Sequence, residues 1–151
     1  MISIVIMVVV ILILAVVTFW NSNRPIEQTL EVKYHEEIGE VKKGLTSKRL
    51  LNAKNGLSEE SVNNGFIKVT VEGAPEGFVS FDTDSITGYV VDLSVIGYNN
   101  LSTGKAYKTV STGDTITFGE DDVYVYDADG NVFYAKGYVL GSGDIFYTDD
   151  L

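Results

Sequence analysis

The chain has 151 residues and no cysteine, which excludes disulfide bonds and thiolate metal sites. Cysteine usage therefore gives no information on whether the protein works in an oxidising or a reducing compartment. Its formal net charge of −10 comes from residues 69–151, which hold 14 acidic and three basic residues. Such an acidic half argues against nucleic-acid binding and is typical of a solvated outer surface.

The first 20 residues, MISIVIMVVVILILAVVTFW, contain no charge, no proline and no glycine. A run of this length could cross a bilayer as a helix, since in a dry environment the backbone must satisfy its own hydrogen bonds. The run is apolar on every side, so no face of such a helix prefers water. The sequence therefore predicts a helix that lipid or other protein must bury.

No basic residue precedes this run, and the first one, Arg24, lies on its far side. A signal peptide or signal anchor normally begins with a basic segment. We therefore expect a mature product whose basic leader has been removed. The alternative is a bare membrane anchor that begins at Met1.

A second, amphipathic helical segment is predicted over residues 21–56. The Asn-Ser-Asn triplet at residues 21–23 favours a new helix start before Pro25, but this proline could instead kink one long helix. Gly39 and Gly44 weaken the helical pattern. Apolar residues three or four positions apart nevertheless form one stripe. The stripe consists of Ile26, Leu30, Tyr34, Ile38, Val41 and Leu45.

Basic residues lie towards the predicted end of this helix, near Asn55-Gly56. Lys42, Lys43, Lys48 and Arg49 are placed where positive side chains would suit the helix dipole.

From residue 66 the apolar pattern changes to alternation, with glycine- and aspartate-containing turns between the runs. Seven to nine short strands with no helical pattern between them predict an antiparallel sandwich or barrel-like sheet. The longest strand is expected over residues 86–98. The other predicted strands cover residues 66–71, 78–81, 107–110, 115–118, 123–126, 132–135, 138–140 and 145–147.

The sequence offers no constellation for catalysis. His35 is the only histidine, and it lies among glutamates on the predicted helix, where it suits a surface position. It has no second base for nucleophilic chemistry and no cysteine with which to share a zinc ion. We therefore predict no catalytic residue, no cofactor and no metal site, and a protein that is not an enzyme.

Residues 127–131, DADGN, place oxygen ligands at alternate positions, as a calcium loop would. An EF-hand loop would need glycine and glutamate at its sixth and twelfth positions, where Val132 and Tyr138 stand. A hairpin turn is the favoured interpretation, and a calcium site is the alternative.

One N-x-[ST] triplet occurs, Asn100-Leu101-Ser102, in a predicted loop. Asn100 is therefore a candidate glycosylation site. The nine tyrosines lie mostly in the β region, where sheet edges and faces explain them without ligand stacking.

The order of these parts resembles the type IV pilin superfamily: an apolar start without a basic segment, an early proline, an amphipathic helical extension and a β-rich head. The archaeal branch, with its adhesion pilins and archaellins, is the closer likeness because its heads are β-sandwiches. Bacterial members usually carry glutamate at the fifth mature position, where this chain has Val5. The resemblance implies a leader removed by a prepilin peptidase, an assembly machinery, and helices that bundle into a filament core.

The expected fold class is α+β, with a long N-terminal α-helix, apolar and then amphipathic, followed by an antiparallel β-sandwich-like head domain. The expected parts are an apolar helix over residues 1–20, a helical extension over residues 21–56 and a β-rich head over residues 57–151. The predicted polymerisation core consists of Ile2, Ile4, Val5, Ile6, Val8, Val9, Ile11, Leu12, Leu14, Val16, Phe19 and Trp20.

The expected function is that of a structural subunit of an extracellular helical filament for adhesion or motility. Its partners would be identical subunits, after insertion of the helix in a membrane before assembly, and no nucleic acid. The alternative is a single-pass, membrane-anchored extracytoplasmic β-domain that acts as a binding module.

Overall fold

A computed structural model of the chain describes residues 2–98, 100–139 and 141–148, with side chains for all of these except residues 16–29. Two helices, one 3₁₀ helix and seven strands make up the described chain. The helices are α1 (Ile2–Ala53) and α2 (Glu59–Val62), and the 3₁₀ helix covers Lys105–Thr109. The strands are β1 (Ile67–Glu72), β2 (Thr87–Val90), β3 (Thr115–Thr117), β4 (Tyr124–Tyr126), β5 (Val132–Tyr134), β6 (Tyr138–Val139) and β7 (Ile145–Phe146).

Helix α1 runs from Ile2 to Ala53, so of the two alternatives left open near Pro25 the separate helix start is not observed. The predicted C-terminal end near Asn55-Gly56 is close to the observed one. The side chain of Pro25 lies outside the described residues, and the predicted kink there stays a prediction. The chain divides into two compact units, Met1–Lys33 and Tyr34–Leu151, and each is described by itself.

The apolar stripe of α1 is confirmed from Tyr34 onwards. Tyr34, Ile38, Val41 and Leu45 are buried and belong to the same hydrophobic core as the strands. Leu30, in contrast, is exposed, and Ile26 lies outside the described side chains. The amphipathic pattern therefore marks the part of α1 that packs into the second unit. We call this unit, Tyr34–Leu151, the head.

The head contains a five-stranded sheet in the order β3-β1-β2-β4-β5 and a separate two-stranded ribbon, β6-β7. The pairings are antiparallel except for β1 and β3, which are parallel. The described residues thus form an α+β fold with a mostly antiparallel sheet. A sandwich is not confirmed, because α1 supplies side chains to the core that a second sheet would otherwise provide.

The strand predicted over residues 86–98 is wrong beyond Val90. The chain turns after Asp92, whose carboxylate accepts a hydrogen bond from the amide of Ser94 (2.9 Å), and Gly97 has a φ of +82°. A glycine tolerates this left-handed conformation where another residue would be strained. Residues 93–98 therefore form a loop instead of a strand end.

Two shorter strand predictions are also wrong. Residues 107–110 overlap the 3₁₀ helix, and residues 78–81 form no strand although Phe78 and Phe81 pack against the core. The hydroxyl of Ser80 instead accepts from the amides of Asp82 (3.2 Å) and Thr87 (2.8 Å). Local side-chain bonds of this kind compete with a strand ladder. The remaining strand predictions agree with β1 and β3 to β7 to within one or two residues, Leu140 lying outside the described residues.

Candidate functional site: the apolar segment of α1 and the surface of the head

The apolar segment of α1, residues 2–14, leaves its large side chains uncovered within its own unit. Twelve isoleucine, valine, leucine and methionine side chains are between 48% and 79% exposed. They occupy position 2 and every position from 4 to 14, and so surround the helix on every side. Soluble monomeric proteins rarely leave so large an apolar surface in water, and such surfaces mark contacts with protein or membrane.

Nine of the predicted core residues are exposed members of this segment: Ile2, Ile4, Val5, Ile6, Val8, Val9, Ile11, Leu12 and Leu14. Val16, Phe19 and Trp20 lie outside the described side chains. Over the residues for which the structure gives a description, none of the helices is long and apolar enough to span a membrane.

A buried carboxylate joins α1 to a loop of the head. Glu37 is only 7% exposed. Its Oε1 accepts hydrogen bonds from the amide (2.9 Å) and the hydroxyl (2.7 Å) of Ser102, and its Oε2 accepts from the hydroxyl of Thr103 (2.5 Å). The Thr103 hydroxyl also lies 2.6 Å from the hydroxyl of Tyr124. A buried charge is tolerated when donors surround it in this way.

A second carboxylate supports the same loop. Oδ1 of Asp122 accepts from the amide of Gly104 (2.7 Å) and from the hydroxyl of Tyr134 (2.6 Å). Burial, and then the hydrogen bond to Asp122, raise the pKa of Tyr134 above its ordinary value. Because these donors already point at the carboxylates, Glu37 and Asp122 fix the loop at residues 102–104 and act as structural groups.

The candidate glycosylation site lies at the start of this loop. Asn100 is exposed, but Leu101 is buried, and the hydroxyl of Ser102 donates to Glu37. The hydroxyl of the triplet is therefore engaged in a hydrogen bond to a buried carboxylate, while Asn100 is exposed. Modification of Asn100 stays a prediction.

The hairpin turn at residues 127–131 is confirmed, between β4 and β5. Asp127 is fully buried, and its Oδ1 accepts from the amides of Asp129 (3.1 Å) and Asn131 (2.8 Å). Its Oδ2 accepts from the amide of Val79 (3.1 Å). The carboxylate thus closes the turn and ties it to a neighbouring segment. Among the described residues, no three histidine, aspartate or glutamate side chains lie together where they could hold a metal ion.

His35 is partly buried beside Tyr34, with the two ring centroids 6.1 Å apart.

The tyrosines of the head are mostly core residues. Tyr124 and Tyr126 on β4 are fully buried, as is Val125 between them. Because successive side chains of a strand point to opposite faces, both faces of β4 are covered.

Basic residues concentrate on the part of α1 that belongs to the head. Residues 41–53 contain four basic and no acidic residues. The prediction that they suit the helix dipole is wrong in position, because the last turn of α1, whose residues are all described, contains no basic residue. The dipole acts only within the final turn, so these charges need another explanation.

No protein-family model, no curated protein and no solved structure matches this chain. The described residues define an α+β fold with an N-terminal helix and a mostly antiparallel sheet, and residues 2–14 of that helix expose large apolar side chains.

Proposed function

We propose that this chain is a structural subunit of an extracellular helical filament similar to a type IV pilus. The apolar segments of many copies would bundle in the core, and the acidic heads would lie outside. The observation that carries the proposal is the exposure of twelve large apolar side chains on every side of the helix. By resemblance, the helix would occupy a membrane before assembly, and a prepilin peptidase and an assembly machinery would act on the precursor.

The physical basis is the burial of this apolar surface. Removing a large aliphatic side chain from water contributes about 1.5–3 kcal/mol. Twelve partly exposed side chains would therefore stabilise contacts between copies by on the order of 10 kcal/mol or more per copy. The head differs from the apolar segment, because residues 69–151 carry a net charge of −11, which keeps their surface solvated.

The exposed apolar segment supports a second candidate function. Lipid would cover the apolar segment on every side as well as neighbouring helices would, and the chain would then be a membrane-anchored extracytoplasmic binding module. The two candidates differ in one respect, because a filament subunit must exchange lipid for identical helices and an anchored module keeps its lipid.

The substitution Val10→Asp tests the filament proposal. A carboxylate in the packed core has no partner and costs several kcal/mol per copy, so we expect no filaments from this variant by electron microscopy. Leu57→Asp is the matched control, since Leu57 is 85% exposed in the connector after α1. Normal filaments from Val10→Asp, or equal loss in both variants, would contradict the proposal.

A further inference from the structure

A groove lies along the outer side of α1 in the head. Its volume is about 270 Å³, and it lies between α1 and the loop at residues 93–98. The close approach depends on Gly44, where a Cβ atom would lie 2.7 Å from Cε2 of Tyr98. The lining is mixed, with the side chains of two lysines and a serine beside those of leucine, valine, isoleucine and tyrosine. Residues that line the groove include Lys43, Ser47, Lys48, Leu51, Ile96 and Tyr98.

Within the described part of the head, no acidic side chain forms an ion pair with the lysines of this groove. Among the described residues, neither Lys43 nor Lys48 forms an ion pair, whereas Lys68 forms two. Leu50 and Leu51 on the same stretch of helix are exposed as well. The groove therefore combines positive charge with exposed apolar side chains.

The β6-β7 ribbon presents the complementary chemistry. Val139 and Ile145 are directly opposite each other in the ribbon, and both are exposed, at 58% and 47%. Side chains opposite each other in an antiparallel pair share one face, so they form an apolar pair. The exposed Asp144 precedes Ile145. The ribbon thus carries apolar surface beside a negative charge.

We propose that the β6-β7 ribbon of one copy docks in the Lys43–Lys48 groove of a second copy. The apolar pair would contact the apolar side chains of the groove, such as Leu51 and Ile96, and Asp144 would pair with one of its lysines. This inference rests on the proposed filament, because it supplies the contact between heads that surrounds the helical core. Ribbon and groove are different surfaces, so each copy can engage two neighbours and the contact can propagate without closing.

Engineered cysteines test the contact directly, because the chain contains none of its own. One full-length preparation carries Ser47→Cys in the groove, and a second carries Ser142→Cys in the turn of the ribbon; both serines are exposed. The two are mixed, allowed to assemble, and treated with a short bifunctional maleimide. The control mixture replaces Ser142→Cys with Ser111→Cys, at another exposed position of the head.

We expect filaments and a cross-linked dimer in the test mixture, and filaments with little dimer in the control. Filaments without the specific dimer would overturn the ribbon–groove contact and leave the filament proposal standing. A specific dimer without filaments would support the contact and overturn the filament proposal. The absence of both would overturn both.

Charge exchange provides the second test. Lys43→Asp and Asp144→Lys should each raise the critical concentration for assembly about two- to fivefold, the range expected for loss of one exposed ion pair. The double variant should recover much of that loss. Lys105→Asp and Asp114→Lys, at exposed positions elsewhere, are the controls. A loss no greater than theirs, or a double variant with no recovery, would contradict the pairing. Loss of binding to anionic lipid vesicles by Lys43→Asp but not by Lys105→Asp, with no effect on assembly, would assign the groove to a membrane surface and reject the ribbon.

Discussion

Glu37 connects α1 to the loop at residues 102–104 through hydrogen bonds of its carboxylate. Its carboxylate accepts three hydrogen bonds from Ser102 and Thr103 while almost fully buried. Hydrogen bonds to a charged group contribute more than neutral ones, and each donor left without an acceptor adds a desolvation penalty.

We expect Glu37→Ala to lower the free energy of unfolding of the head by about 2–4 kcal/mol, because three donors lose their acceptor. Near-ultraviolet circular dichroism during heating, with the full chain in mild detergent, measures the change. Glu40→Ala, at an exposed position on the same helix, should change little. Equal effects in the two variants would show that the Glu37 hydrogen bonds are not structural.

Buried tyrosines make the head sensitive to alkali. Burial raises the pKa of Tyr124 and Tyr126 above their ordinary value of 10.0. The folded state therefore holds these protons to a higher pH than the unfolded chain does. The stability that they confer is complete below about pH 10 and falls as the pH rises further, because the unfolded chain ionises first.

We predict unfolding of the head on titration above pH 10, with a loss of up to about 1.4 kcal/mol per pH unit for each tyrosine that remains protonated. Tyrosinate absorbance and circular dichroism should change together. Early, non-cooperative ionisation of all nine tyrosines, with the fold intact, would contradict the burial of these hydroxyls.

At the scale of elements, two glycines in α1 serve opposite roles. A Cβ atom at Gly44 would lie 2.7 Å from Cε2 of Tyr98 and 3.0 Å from Cβ of Ile96, whereas one at Gly39 would meet nothing within 4 Å. Gly44 is therefore required for the loop at residues 93–98 to pack on the helix. Gly39 gives only flexibility, which weakens a helix by about 1 kcal/mol relative to alanine.

We expect Gly39→Ala to stabilise the head by up to about 1 kcal/mol and Gly44→Ala to destabilise it. At Gly44 the overpacking penalty of about 1–3 kcal/mol exceeds the helical gain. Thermal unfolding of the two variants side by side tests the opposite signs. A stabilised Gly44→Ala variant would mean that the loop does not contact the helix as described.

The apolar stripe predicted the packing face of α1 because burial there follows the helical period. The same period contained an unused signal: Glu37 lies three residues after Tyr34 and four before Val41, which places it on the core-facing side. The groove could not be predicted, because it joins residues about 50 positions apart in sequence. Only the folded loop at residues 93–98 brings them together.

The sheet was predicted less well than the helix. Alternation indicated β1 and β3 to β7, but the strand expected over residues 86–98 ended at Val90 because Asp92 and Gly97 start a turn. Alternation also gave no information on what covers each face. The sandwich was expected from many short strands with no helical pattern between them, but strand spacing does not show that α1 shares the core with the sheet.

At the scale of the whole molecule, the head should fold without the apolar segment. Among the residues whose side chains are described, the core of the head begins at Tyr34. We predict that a chain without residues 1–25 is soluble and monomeric in analytical ultracentrifugation and unfolds cooperatively. A spectrum dominated by disorder would show that the head needs the apolar segment or neighbouring copies.

The most direct test of the filament proposal is the sedimentation of the full chain after removal of detergent. If the apolar segments bury one another, the protein should sediment as long fibres of uniform width in electron micrographs, and the chain without residues 1–25 should stay in the supernatant. If the full chain instead stays with lipid vesicles and dissolves in mild detergent as a monomer that forms no fibres when the detergent is removed, the proposal is contradicted.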